Sequence, residues 1–136
     1  MGLDNGVCVR SNKRNITRND LPSGIIYPFS QSISDTEIVY WRKNWGLRND
    51  VMNSFGWRVR SEDEWEFEID TPDQVLQLIE LIAKWLNEER WISEGDSIWD
   101  FEDIREMLVQ DIVNLAIIRA YMQSNPDIYL VFYDSY

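Results

Sequence analysis

Alternation of apolar and polar positions along the chain predicts its strands. The alternation is most regular at residues 64–70, EWEFEID, where aromatic or aliphatic side chains alternate with carboxylates. A strand there would bury one side and present acids on the other. Residues 128–133, IYLVFY, form an uninterrupted apolar run, which is typical of a strand in the interior of a sheet. Shorter β-type runs at 6–10 and 37–41 predict two more strands, and residues 24–27, which lie between two prolines, predict at most a short edge strand.

Apolar residues that recur at spacings of three and four predict helices between these strands. A short helix over residues 44–55 follows the second predicted strand, although an unbroken helix from Thr36 also aligns the apolar positions. The sequence TPDQ at residues 71–74 predicts the start of a longer helix. Thr71 is suited to the N-cap, proline is tolerated in the first turn, and Gln74 completes a capping box.

A third helix is predicted over about residues 100–123, because the apolar spacing continues until Asn125 and Pro126. Its apolar residues at 112–118 wrap almost round the helix, which predicts burial on more than one side. Strands and helices in this irregular order predict an α+β fold, with a mostly antiparallel sheet of four or five strands packed against two long helices and one shorter helix. The 136 residues fit a single domain.

Charge is distributed unevenly along the chain, whose formal net charge is −11. Residues 1–60 hold nine Lys or Arg against five Asp or Glu, net +4, and residues 61–136 hold four against nineteen, net −15. A strongly acidic protein is a poor partner for nucleic acid, because duplex binding relies on cations that displace counterions from phosphates. The acidic second part instead suits a basic partner or simply keeps the protein in solution.

Composition also excludes several kinds of chemistry. The chain has no histidine and a single cysteine, Cys8. Disulfides within the chain, Cys-rich zinc sites and His-based catalytic triads are therefore excluded, and no cofactor is predicted. The first residues lack an apolar signal-peptide core, and no apolar run approaches the ~20 residues of a membrane span. We expect a cytoplasmic protein with no membrane partner.

The first candidate site is the stretch EIVYWRKNWGLRND at residues 37–50. If a strand ends and a helix begins within it, cations and free backbone N–H groups converge where an anion is stabilised, and a tryptophan could stack on a base. The predicted anion-binding residues are Trp41, Arg42, Lys43, Trp45 and Arg48. Two alternatives remain open: the aromatic residues belong to the core beside solvated cations, or the segment binds a protein partner, since Trp, Tyr and Arg are enriched at binding hot spots.

The second candidate site is acidic. Its predicted partner-binding residues are Glu64, Glu66, Glu68, Glu94, Asp96, Asp100 and Asp103. Clustered carboxylates can bind Mg²⁺ or Ca²⁺, but the spacing around residues 94–103 is not that of a calcium loop, and no metal is predicted. Either these residues form an ordinary solvated surface, or they form a docking surface that imitates nucleic-acid phosphates.

Two short motifs carry a resemblance. The sequence MGLD at residues 1–4, YWRK at residues 40–43 and Leu47 resemble a family of short phage- and prophage-encoded proteins of no established function. Arg48 stands where that family's pattern has a histidine, so no role of that histidine carries over. The resemblance implies a mobile-element origin, and small acidic phage proteins often bind and disable a host factor, which is an analogy rather than a mechanism.

Together these observations predict a non-enzymatic phage or prophage accessory protein. It would bind and inhibit a host protein with a basic surface, a defence or nucleic-acid-processing factor, in the host cytoplasm and without contacting nucleic acid directly. The alternative is a small-ligand module that captures a nucleotide or other anion at the YWRK segment. A third possibility is a homo-oligomer in which the cationic and acidic parts meet across a subunit interface.

Overall fold

The structure, a computed structural model, describes residues 4–28, 35–42, 45–55, 64–88 and 101–135, with the backbone alone at 42, 45, 64–65, 101–103 and 135. In chain order the elements are β1 (Asp4–Ser11), β2 (Glu37–Arg42), α1 (Trp45–Phe55), β3 (Glu64–Ile69), α2 (Pro72–Glu88), α3 (Phe101–Ser124) and β4 (Ile128–Ser135). A single turn of 3₁₀ helix, Arg18–Asp20, follows β1. The predicted α+β fold is confirmed, with four strands and with two long helices and one shorter helix.

The four strands form one antiparallel sheet in the order β2-β1-β4-β3. The first and last strands of the chain are the two central ones, and they pair along their whole length, from Asp4 opposite Ser135 to Ser11 opposite Ile128. This position explains the apolar sequence of β4, because a strand between two neighbours is largely buried, and residues 130–134 are buried.

The core lies between the helices and one face of the sheet, here called the inner face. Val7, Val39, Phe132 and Phe67 are opposite one another on the four strands and are all buried. The rings of Phe67 and Phe132 stack with centroids 5.1 Å apart, and Phe55 of α1 stacks on Phe67 at 5.4 Å. Each such side chain contributes about 1.5–3 kcal/mol when it is fully buried.

The predicted start of α2 is confirmed in atomic detail. The backbone N–H of Gln74 donates to the Thr71 hydroxyl oxygen at 3.2 Å, and the Gln74 side-chain oxygen accepts from the backbone N–H of Thr71, also at 3.2 Å. These reciprocal bonds satisfy N–H groups that have no partner within the helix. From this cap the helix buries its apolar stripe, which consists of Val75, Leu78, Ile82 and Trp85.

Residues 24–27, for which the sequence predicted at most a short edge strand, form no strand. The segment runs beside α3, where the Asn114 side chain accepts from the Ile26 N–H at 2.9 Å and donates to the Ile26 carbonyl at 2.7 Å. Farther along, the Tyr121 hydroxyl donates to the carbonyl of Asp20 at 3.0 Å. A side-chain amide thus satisfies the backbone groups that a neighbouring strand would otherwise satisfy. Among the described helices, none is both long and apolar enough to cross a bilayer.

Candidate functional site

The face of the sheet opposite the inner face, here called the outer face, carries the acidic row of β3. Phe67 and Ile69 are buried on the inner face, so Glu66 and Glu68 lie on the outer face, opposite Tyr133 and Val131 of β4. Glu68 is exposed and Glu66 is half-buried. Glu64 occupies an outer-face position by register, opposite Ser135. The alternation in the sequence therefore places its carboxylates on one side of the molecule.

An acidic pocket lies where β3 ends and β4 begins. It has a volume of about 270 Å³ and is lined by Asn12, Glu68, Asp70, Pro126, Asp127, Ile128 and Tyr129. Three carboxylates, from residues up to 59 positions apart in the sequence, therefore line one concavity together with a half-buried tyrosine. We call Glu66, Glu68 and this pocket the acidic margin.

Asp127 is held in its charged form. The Ser11 hydroxyl donates to Asp127 Oδ2 at 2.7 Å, and this bond is the main cause that lowers the pKa of the carboxyl group. Desolvation opposes this lowering, and the backbone N–H of Asp127 and the charges of Lys13 and Arg14 add to it. An ionised carboxylate beside an aromatic ring suits an ammonium or guanidinium group, which forms charge-assisted hydrogen bonds and also contacts ring faces.

The centre of the outer face is closed. An extra residue in β2, next to the register shift between Val7 and Cys8, places Glu37 opposite Cys8. Glu37 is fully buried and accepts a hydrogen bond from the Tyr133 hydroxyl. A side chain at Gly6 would collide with Glu37, with Tyr133 and with the Val39 carbonyl, so only glycine fits beneath this pair. Among the described acids of this face, Glu37 is buried, whereas Glu68 on the β3 side is exposed.

Cys8 is part of this closed centre. Burial, reinforced by the nearby Glu37 charge and partly opposed by Arg10, raises the pKa of the Cys8 thiol to about 12. The thiol is therefore protonated at neutral pH, and nucleophilic chemistry needs the thiolate.

The predicted anion-binding residues are only partly described, and the structure gives two of them partners inside the fold. Trp41 is fully buried, and its indole N–H donates to Asp111 Oδ2 at 2.8 Å. Arg48 is buried against Asp134, with its Nε 3.1 Å from Oδ1 and a terminal nitrogen 2.5 Å from Oδ2. Trp41 thus presents no ring face on which a base could stack, and Arg48 already binds a carboxylate. For these two residues the structure supports a role in the core instead.

The structure describes the other predicted site residues only by their backbone or not at all. Lys43, Glu94, Asp96 and Asp100 lie outside the described residues, and the description of Arg42, Trp45, Glu64 and Asp103 covers the backbone alone. The described part of the predicted acidic set is therefore Glu66 and Glu68, with the Glu64 backbone beside them.

Sequence reasoning missed the contribution of Asp70 and Asp127 to the acidic margin. Asp70 continues the alternating row of β3, so the pattern already contained the signal. Asp127 reaches the pocket through the pairing of β3 with β4, and no local pattern specifies that register. Within the ranges that the structure describes, no group of three or more Cys, Asp or Glu residues is arranged to hold a metal ion.

Comparisons of the chain with protein-family models, with curated proteins and with solved structures find no match. The resemblance carried by the MGLD and YWRK motifs stays a prediction.

Proposed function

We propose that this chain is a non-enzymatic binding protein that holds a partner with a basic surface at its acidic margin. The observation that carries the proposal is the pocket that Glu68, Asp70 and Asp127 line beside Tyr129. Its size and charge suit one arginine or lysine side chain of the partner, and Glu66 lies farther along the same strand for a second contact.

The shape of the site favours such a contact energetically. Carboxylates at the walls of a concavity act on a cation through less water than carboxylates on a flat surface, so each attraction is stronger. Tyr129 adds a ring face, and tyrosine is among the residues enriched at binding hot spots. Glu66 and Glu68 at the exposed side would mainly accelerate encounter with a basic surface, because exposed charges act over about 8–10 Å at moderate salt.

The non-enzymatic part of the proposal is supported by what the chain offers of two residue types that commonly carry catalysis, histidine and cysteine. The chain has no histidine, and its one cysteine is buried and protonated. The identity of the partner is supported by the resemblance alone. If the chain comes from a phage or prophage, the basic partner is a host factor, of the defence or nucleic-acid-processing kind, which binding would disable.

Charge reversal at the acidic margin tests the proposal. The double variant Glu68→Lys, Asp70→Lys changes two exposed residues and should weaken binding of an arginine-rich peptide at least tenfold, a change of about 1.4 kcal/mol. Binding of the wild type should also weaken as salt is raised. Fluorescence anisotropy with a labelled peptide measures both effects, and NMR shift changes should concentrate at residues 66–70 and 126–129.

A matched control is the double variant Glu80→Lys, Glu106→Lys, which makes the same charge change at exposed helical positions. It should bind the peptide within about twofold of the wild type, because neither residue lines the pocket and salt screens exposed charges at a distance. If the two double variants lost affinity for the peptide equally, the peptide would be attracted to net charge and not to a site. If the variant Glu68→Lys, Asp70→Lys bound as tightly as the wild type, the proposal would be refuted. A pull-down from the host with the wild type and both variants then identifies the partner.

A further inference from the structure

Exposed apolar side chains collect on the side of the molecule opposite the sheet. Among the described residues, the exposed large apolar side chains are Ile26 at 50%, Val109 at 43%, Val113 at 42% and Leu76 at 36% exposure. They come from three separate segments of the chain. We call these four residues the apolar ridge.

Hydrogen bonds to α3 bring the three segments of the apolar ridge together. Val109 and Val113 lie one turn apart on α3 and therefore share a face. Ile26 is held beside them, because both of its backbone polar groups bond to Asn114, the residue after Val113. On the other flank, Arg119 Nε donates to the Pro72 carbonyl at 3.0 Å, which fixes the start of α2, and hence Leu76 one turn later, against α3.

The composition of α3 explains why its outward side is apolar. The sequence predicted burial on more than one side of this helix. Within the described residues, the sheet covers one side, where Asp111 bonds to Trp41, and α2 and the segment 20–28 cover the two flanks. The outward side carries Val109 and Val113, and the exposed Ala116 and Ala120 continue it towards the end of the helix. Exposed apolar side chains grouped on one side in this way are a candidate interaction surface, whereas ones scattered singly are ordinary.

The charges around the ridge indicate what covers it. Exposed residues of both signs surround it: Lys84 and Arg105 at one end, Asp73 at the other, and Glu80 and Glu106 between or beside them. A rim of a single sign, as at the acidic margin, favours a partner of the opposite sign. A rim of mixed sign is complementary to itself when two copies meet across a two-fold axis, since each end then faces the opposite end of the other copy.

We infer that a second copy of this chain covers the apolar ridge, forming a two-fold dimer in which two α3 helices pack antiparallel about Val113. In this arrangement Lys84 and Arg105 of one copy face Asp73 of the other. The outer faces of the two sheets, which carry Glu66 and Glu68, point away from the interface, so the dimer presents two of them.

The size of the ridge sets the strength of the dimer. Its four side chains expose on the order of 300 Å² of apolar surface, at the lower end of the largest patches on monomers. A stable interface buries about 800 Å² on each partner. The dimer is therefore weak and forms at high protein concentration.

Salt separates this inference from the proposed function. Each copy carries a net charge of −11, so raising salt screens the repulsion between copies and strengthens the dimer. Binding of a basic partner at the acidic margin weakens with salt. The two results are independent, and either can fail without the other.

Sedimentation equilibrium of the full chain, from about 10 μM to about 1 mM protein, tests the dimer. The average mass should rise towards that of two chains as concentration increases, and should rise further between about 0.1 and 1 M NaCl, which shortens the Debye length from ~10 to ~3 Å. Val113→Glu should keep the protein monomeric, and Val113→Lys should do the same, which separates loss of apolar contact from the sign of the charge.

The matched control is Asn15→Glu, which adds the same charge at an exposed position away from the ridge and should leave the dimerisation constant within about twofold of the wild type. Thermal melts of all variants verify folding. A wild type that stays monomeric at all concentrations and salts, a dimer that survives both Val113 variants, or an equal loss in the Asn15 control would each overturn the inference.

Discussion

Asp111 lies inside the fold, on the side of α3 that faces the sheet. Only 3% of the residue is exposed, and burial raises the pKa of its carboxyl group from 3.8 to about 8, against the lowering effect of the Trp41 hydrogen bond. The folded protein therefore binds this proton more tightly than the unfolded chain does. The group consequently reduces stability progressively as pH rises from about 4 to about 8, because the unfolded chain ionises first.

Replacing Asp111 by Asn should stabilise the protein in a pH-dependent way. The amide keeps an oxygen for the Trp41 indole N–H but carries no charge to desolvate. The free energy of unfolding should exceed that of the wild type by on the order of a few kcal/mol at pH 8, and the difference should shrink towards zero near pH 4. Urea unfolding at several pH values measures it. Parallel pH profiles for Asp111→Asn and the wild type would contradict the assignment.

Trp41 and Arg48 show the limit of a prediction made from single positions in the sequence. The types and spacing of Trp41 and Arg48 suggested contact with an anion, but the structure pairs them with Asp111 and Asp134, which lie 70 and 86 positions later. No window around residues 41–48 contains either partner, so local chemistry cannot distinguish a buried cation from a ligand-binding one. The acids of β3 were placed correctly because strand alternation is a local property.

At the scale of elements, prediction succeeded where the signal is local. The alternation at β3 and the capping sequence before α2 specify both the element and its boundary. At residues 24–27 the sequence allowed at most a short edge strand, and it could not show that Asn114, 88 positions away, satisfies the backbone of Ile26. The outward side of α3 is a related case. The apolar pattern of α3 predicted burial on more than one side of the helix, and the described residues cover every side except the outward one.

The cap of α2 provides a prediction at this scale. Thr71→Ala removes the hydroxyl that accepts the N–H of Gln74 and should reduce the free energy of unfolding by about 1 kcal/mol. Thr71→Ser keeps the hydroxyl and should cost less than half as much. Urea denaturation of the three proteins, compared at equal slope, measures the difference. If Ala and Ser variants were equally stable, the capping bond would contribute nothing to the stability of the fold.

At the scale of the whole molecule, the cationic first part and the acidic second part of the sequence do not form separate parts of the fold. β1 and β2 come from the cationic first part and β3 and β4 from the acidic second part, and the two parts meet along the full length of the central strand pair. Lys13 and Arg14 consequently act on the carboxyl group of Asp127. The accessible negative charge that the proposed function uses is thus concentrated on the β3 side of the sheet.

The Arg48–Asp134 ion pair is a buried contact between these two parts, joining α1 to the central strand β4. Asp134 also accepts a hydrogen bond from Asn5 of β1, so one carboxylate ties three elements together. Arg48→Met should reduce the free energy of unfolding by about 3–5 kcal/mol, because the carboxylate stays buried after it loses its cation. Asp134→Asn alone should also destabilise, because it leaves a buried guanidinium without its counter-charge.

The double variant Arg48→Met, Asp134→Asn should cost at least about 1 kcal/mol less than the sum of the single variants, since it removes both charges together. Urea unfolding of the four proteins gives this coupling energy. The exposed pair Arg14–Asp20, with its charged atoms 4.0 Å apart, is the matched control, and the corresponding cycle should give less than about 1 kcal/mol because water screens both charges. Additive effects at Arg48 and Asp134 would mean that the two parts of the chain are held together by the apolar core and the strand pairing alone.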